Sequence, residues 1–211
     1  MRKHQNLYMN VAKILMVSLA FAFAINVNSA AQSGDAEAGK QKSITCAACH
    51  GVDGNSPVAQ FPKIAGQVPG YIAAQLANFK SGERTDPIMG AIVGALSEQD
   101  MDDLDAYYSG QQISSGSITA DQEQQARAGE AVFRGGSAEF NVPACMGCHG
   151  PSGSGIPPNF PRLAGQHASY IETQLLAFKS GERNDPIMNP IAFPLSEQQI
   201  KQLALYISAL H

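Results

Sequence analysis

Cysteine and histidine are combined in this chain in one arrangement that occurs twice. Cys46-Ala-Ala-Cys49-His50 and Cys145-Met-Gly-Cys148-His149 between them use all four cysteines. Cys-x-x-Cys-His is the pattern of covalent c-type haem attachment. The two thiols add to the vinyl groups of the macrocycle, and the adjacent histidine is placed to bind the iron. Each motif is followed by a methionine at the same distance: Met89 lies 39 residues after His50, and Met188 lies 39 after His149. A His/Met pair fills both axial positions of an iron, favours its reduced state and suits electron transfer rather than oxygen chemistry. These residues point to two covalently bound haem c groups. Cys46, Cys49, Cys145 and Cys148 are the expected thioether positions, and His50, Met89, His149 and Met188 the expected axial ligands.

Other uses of the four cysteines explain less. One shared zinc would have to join two pairs that lie 99 residues apart, each inside its own repeat. A thioredoxin-like pair needs a strand–helix–strand setting, which the pattern lacks. Structural disulfides give no reason for a histidine after each pair. Among the other methionines, Met101 aligns with Ile200 and reads as core, and Met146 lies inside a motif. His167 aligns with Val68 and reads as a surface residue. Pro62 and Pro161 each follow their motif histidine by twelve residues. Their carbonyls could accept the imidazole N–H, or the prolines could simply form turns. Tyr71 with Tyr170, and Arg84 with Arg183, recur near the expected pockets, either for haem propionates or for packing.

The elements that must position these residues come from a duplication. At an offset of 99, residues 60–89 and 159–188 agree at 19 of 30 positions. Phe61-Pro-Lys-Ile-Ala-Gly-Gln67 answers to Phe160-Pro-Arg-Leu-Ala-Gly-Gln166, and Phe79-Lys-Ser-Gly-Glu-Arg84 to Phe178-Lys-Ser-Gly-Glu-Arg183. The spacing of Ile72, Leu76 and Phe79, and of Ile171, Leu175 and Phe178, predicts an amphipathic helix in each copy. Gly82 and Gly181 are its expected stops. A last helix starts at a capping box, Ser97 to Asp100 or Ser196 to Gln199, and buries Leu104 with Tyr107 or Leu203 with Tyr206. The expected fold class is all-α: two tandem domains related by internal duplication, each wrapped around a covalent haem. The expected divisions are a signal peptide at 1–31, an N-terminal domain at 32–112, a flexible polar linker at 113–125 and a C-terminal domain at 126–211. Arg134 to Pro143 reads as a longer loop before the second motif.

Arg2, Lys3 and Lys13, the apolar run Ile14 to Ile25 and the small residues Ser29, Ala30 and Ala31 form the three parts of a secretory signal. Cleavage is expected near Ala30 or Ala31, with an uncleaved anchor as the alternative. Export to the periplasm agrees with haem attachment outside the cytoplasm. Losing those three basic residues takes the formal net charge from −4 to −7. With no basic patch, nucleic-acid binding is excluded. Asp100, Asp102, Asp103 and Asp105 form an acidic cluster that reads either as a solvated helix face or as a surface steering redox partners.

Taken together, the two motif–methionine pairs, the duplicated Phe-Pro-x-x-Ala-Gly-Gln segment and the Phe-Lys-Ser-Gly-Glu-Arg-x-Asp-Pro-Ile-Met segment resemble the dihaem cytochrome c4 family over the whole mature chain. The resemblance implies two class I cytochrome c domains about an approximate twofold axis, with haems facing each other across the interface. It carries the proline carbonyl support over to Pro62 and Pro161. It also implies a periplasmic electron carrier, loosely membrane-associated, between the quinol-oxidising cytochrome bc complex and haem–copper terminal oxidases. A monomer is expected. Two rivals are an electron-accepting subunit of a periplasmic dehydrogenase and a dihaem peroxidase, which two equivalent methionines disfavour.

Overall fold

The computed structural model describes residues 34–211. The expected signal peptide, at 1–31, lies outside these residues. Among them there are ten α-helices and no strand beyond two isolated bridges. The N-terminal half holds α1 (Ala36–Lys42), α2 (Ile44–His50), α3 (Tyr71–Ser81), α4 (Pro87–Val93) and α5 (Glu98–Ser109). After a 3-10 turn at Ala120–Gln122, the second half holds α6 (Glu123–Gly135), α7 (Met146–His149), α8 (Ala168–Ser180), α9 (Met188–Ala192) and α10 (Glu197–Ala209).

Local sequence sets most of these boundaries. Both capping boxes form: Ser97 exchanges hydrogen bonds with Asp100, and Ser196 with Gln199. Gly82 and Gly181 take left-handed conformations at the ends of α3 and α8, where a side chain would be strained. In each half the first and last helices cross face to face, α1 on α5 and α6 on α10. The crossings depend on glycine. A Cβ on Gly39 would lie 1.9 Å from the Asp103 carbonyl oxygen, and one on Gly129 would lie 2.0 Å from that of Gln202. Each half then closes its own core, one around Ile72, Leu76, Met101 and Leu104, the other around Phe133, Ile171, Ile200 and Leu203.

Three expectations change. The acidic cluster is not a free face. Asp103 is buried and accepts from the Asp35 amide at 2.8 Å, from Gln99 at 2.8 Å and from Lys42. Asp105 is buried and accepts from the amides of Gly70 and Ile72 at 2.7 and 2.8 Å, capping α3 from a neighbouring helix. Asp100 pairs with Lys42 at 2.7 Å. Only Asp102 remains for steering, because three carboxylates satisfy helix ends and the half-buried Lys42. The linker is also held rather than flexible. Asn55 bonds the Gln112 carbonyl and the Ser114 amide, and Lys63 Nζ donates to the Ser114 carbonyl at 2.7 Å. The loop before the second motif is shorter than expected, since Arg134 and Gly135 belong to α6 and the chain turns back through a Ser137–Val142 bridge.

Two predictions follow from this packing. Gly129→Ala should lower stability by about 1–3 kcal/mol through overpacking against backbone, despite a helix-propensity gain of about 1 kcal/mol; the denaturant midpoint of the holoprotein reads this. Hydrogen bonds from Lys42, Asp35 and Gln99 hold the Asp103 carboxyl down to about 2. A depressed folded value gives stability that is present above the ordinary carboxylate range and lost as pH falls through about 2. Asp103→Asn should therefore melt below the wild type at pH 6, and the gap should narrow as pH falls toward 2 and close below it.

Candidate haem site

Each motif histidine ends a helix, His50 closing α2 and His149 closing α7, and a glycine with positive φ then turns the chain away. The loop that follows folds back on itself in the same way in both halves. The Gly54 carbonyl accepts from the amides of Ile64 and Ala65, and the Gly153 carbonyl from those of Leu163 and Ala164. This closure brings the prolines to the histidines. His50 Nδ1 lies 2.8 Å from the Pro62 carbonyl oxygen, and His149 Nδ1 lies 2.9 Å from that of Pro161. A carbonyl only accepts, so each Nδ1 carries the proton and each Nε2 keeps its lone pair. Burial pushes both imidazoles below their ordinary pKa, which favours the neutral form that can bind a metal. Phe61 and Phe160 set their ring edges against them.

Cys46 and Cys145 lie one turn before their histidines, Cys49 and Cys148 directly before them, and all four are half-buried. Met89 lies in the first turn of α4, and Met188 opens α9. Asp86 and Asp185 cap these turns, and each accepts the methionine's own amide at 2.8 Å.

All eight expected site residues line one continuous cavity of about 1280 Å³ shared by the two halves. That exceeds the roughly 300–1,000 Å³ typical of a pocket for one small molecule. Its walls are mostly apolar, and its polar groups converge where the halves meet. Arg84 donates to Gln75 at 2.6 Å in its own half, and to Tyr170 at 2.8 Å and Gln174 at 3.0 Å in the other. Arg183 mirrors it, donating to Gln174 at 2.7 Å, Tyr71 at 3.2 Å and Gln75 at 2.8 Å. Each guanidinium also sits 4.5 Å from a phenyl centroid, Phe79 or Phe178. The recurring tyrosines and arginines thus serve the interface.

A second reciprocal set lies beside the prolines. Gln166 accepts from the Lys63 amide at 2.9 Å and donates to the Lys63 carbonyl at 2.7 Å. Gln67 does the same to Arg162, at 2.6 and 3.1 Å. Sequence reading passed over Gln67, Gln75, Gln166 and Gln174, although all four lie at identical positions of the repeat. His167 is not the surface residue expected: it is half-buried, its Nε2 lying 3.0 Å from the Ser56 carbonyl oxygen of the other half.

Two ligand-competent histidines, two thiol pairs and two methionines around one large apolar cavity fit a pair of covalent haems. The cytochrome c family model matches residues 36–110 and 126–211. Cytochrome c4 of Pseudomonas aeruginosa is 44% identical over 202 residues, covering 93% of this chain and 98% of its own. The chain belongs to the cytochrome c4 family. The crystal structure of reduced recombinant cytochrome c4 from Pseudomonas stutzeri superposes with a TM-score of 0.81 at 43% identity, over 85% of this chain and 100% of its own. A Stutzerimonas stutzeri protein described as a thiosulfate dehydrogenase electron acceptor is 38% identical over 78% of each chain. As a cytochrome c4, this protein carries two covalent haem c groups and is an electron-transfer protein whose partners are redox proteins.

Replacing Arg84 by Ala removes two hydrogen bonds across the joint and one within its own half, and uncovers Phe79. The expected loss is about 1–3 kcal/mol in denaturant unfolding of the holoprotein, with the two halves no longer unfolding in one transition.

Proposed function

We propose that this cytochrome c4 is a periplasmic electron carrier that takes electrons from the quinol-oxidising cytochrome bc complex and delivers them to haem–copper terminal oxidases. Residues 1–31 direct export, and cleavage falls near Ala30 or Ala31. Cys46 and Cys49 tether one haem, Cys145 and Cys148 the other; His50 with Met89, and His149 with Met188, close the two irons. The observation that carries this reading is the shared cavity, into which two equivalent sets of ligand-type side chains open side by side.

When bound, each haem supplies a one-electron couple. The protein's task is to hold that couple still. The proline carbonyls fix the imidazole planes, and the aspartate caps fix the backbone of the methionines. The apolar walls keep water away, which limits reorganisation on electron transfer. Arg84 and Arg183 have tyrosine and glutamine partners and no carboxylate among the described residues, so their charge is free to face haem propionates. Among those residues no helix is long and apolar enough to cross a membrane.

A second reading, electron acceptor of a periplasmic dehydrogenase, is favoured by the resemblance to the thiosulfate dehydrogenase acceptor. The two readings separate in one experiment. Reduced holoprotein is mixed with membranes containing terminal oxidase, and oxidised holoprotein with bc-complex membranes plus quinol. Rapid turnover in both supports the respiratory carrier; reduction only by a periplasmic dehydrogenase fraction supports the second. Met89→Ala should open one iron, giving a mixed high-spin and low-spin absorption spectrum with the other haem unaltered, and Met188→Ala should give the converse.

A further inference from the structure

The peptide group joining Pro62 to Lys63 is held at both ends. Its carbonyl accepts from His50 Nδ1 at 2.8 Å, and its N–H donates to Gln166 Oε1 at 2.9 Å. Gln166 belongs to the other half of the molecule. The peptide joining Pro161 to Arg162 is held in the mirror-image way, by His149 at 2.9 Å and by Gln67 Oε1 at 2.6 Å. The second arm of each glutamine returns to the carbonyl of the same residue, Lys63 or Arg162, so its amide cannot swing aside. Gln166 and Lys63 are both buried, which keeps water from replacing either bond.

We propose that Gln67 and Gln166 are crossed positioning residues, each tuning the axial histidine of the opposite domain through one intervening peptide group. A peptide whose N–H is engaged becomes more polarised, and its carbonyl becomes a stronger acceptor. The stronger acceptor draws on the Nδ1 proton and makes the imidazole a more basic ligand. A more basic ligand favours ferric iron. Gln166 therefore holds the N-terminal haem at a lower potential than its own domain alone would set, and Gln67 does so for the C-terminal haem. Each domain's pocket is completed by the other, so losing both glutamines changes both haems even though no ligand is lost.

This rests on His50 and His149 being the axial ligands, and the test separates the two claims. Gln166→Met and Gln67→Met keep the side-chain length and remove the amide. Redox titration of the holoproteins, followed through the haem methyl resonances of each domain, reads the two potentials separately. Gln166→Met should shift the N-terminal haem alone, raising its reduced-to-oxidised ratio at a fixed applied potential on the order of threefold. The Nδ1 proton of His50 should also exchange faster. Gln67→Met should do the same to the C-terminal haem and His149. Ser169→Ala, which removes another contact across the joint, to the Ala59 carbonyl, should move neither. An uncrossed shift, equal shifts of both haems, or no shift would overturn the proposal. Wild-type spectra lacking His/Met signatures would instead overturn the ligand assignment.

Discussion

One peptide group in each domain faces two ways: its carbonyl holds that domain's motif histidine, and its N–H is held by a glutamine from the opposite domain. Much of the molecule serves to bring these peptides into place. The glycine after each histidine turns the chain, and the glycine carbonyl at 54 or 153 closes the loop. The proline that follows can offer only a carbonyl. A second layer of reciprocal bonds, from Arg84 and Arg183 to tyrosines and glutamines, fixes the same joint on the cavity side. The two cores are separate, so it is polar hydrogen bonding around a shared apolar cavity that unites the halves.

The duplicated halves are not chemically equal. Asp105, which caps α3, has Ala204 as its counterpart, and the buried Asp103 has Gln202. Tyr108, with the one buried side-chain polar atom among the described residues that lacks a partner, has Ile207. Of the three, Tyr108 lines the cavity, where Ile207 stands in the other half. The two sets of ligand-type side chains thus sit in different surroundings, a way for one fold to hold two couples at different potentials.

The haem motifs, helix caps and repeat were legible because each depends on chain-local chemistry. The stop at Gly82, the box at Ser97 and the burial of Met101 need only neighbours in sequence or a repeat partner. The joint was less legible. Gln67 and Gln166 are identical in the two copies, yet identity alone does not say whether a residue serves its own domain or the other. The acidic run on α5 misled for a related reason: Asp103 and Asp105 look solvated until Lys42, Asp35 and the start of α3 arrive from elsewhere in the chain. The linker looked mobile because it carries Ser114, Ser115, Gly116 and Ser117 near its start and is mostly polar thereafter, and the side chains that hold it, Asn55 and Lys63, lie more than fifty residues upstream.

The most direct measurement of whether the two domains act as one electron-transfer unit is the redistribution of a single electron between the haems after rapid, substoichiometric reduction of the holoprotein. Domains sharing a cavity and clamped by reciprocal glutamines should re-equilibrate in a first-order phase whose rate does not change with protein concentration. A rate that rises in proportion to protein concentration would mean that electrons pass between molecules instead, contradicting a joint built for internal transfer.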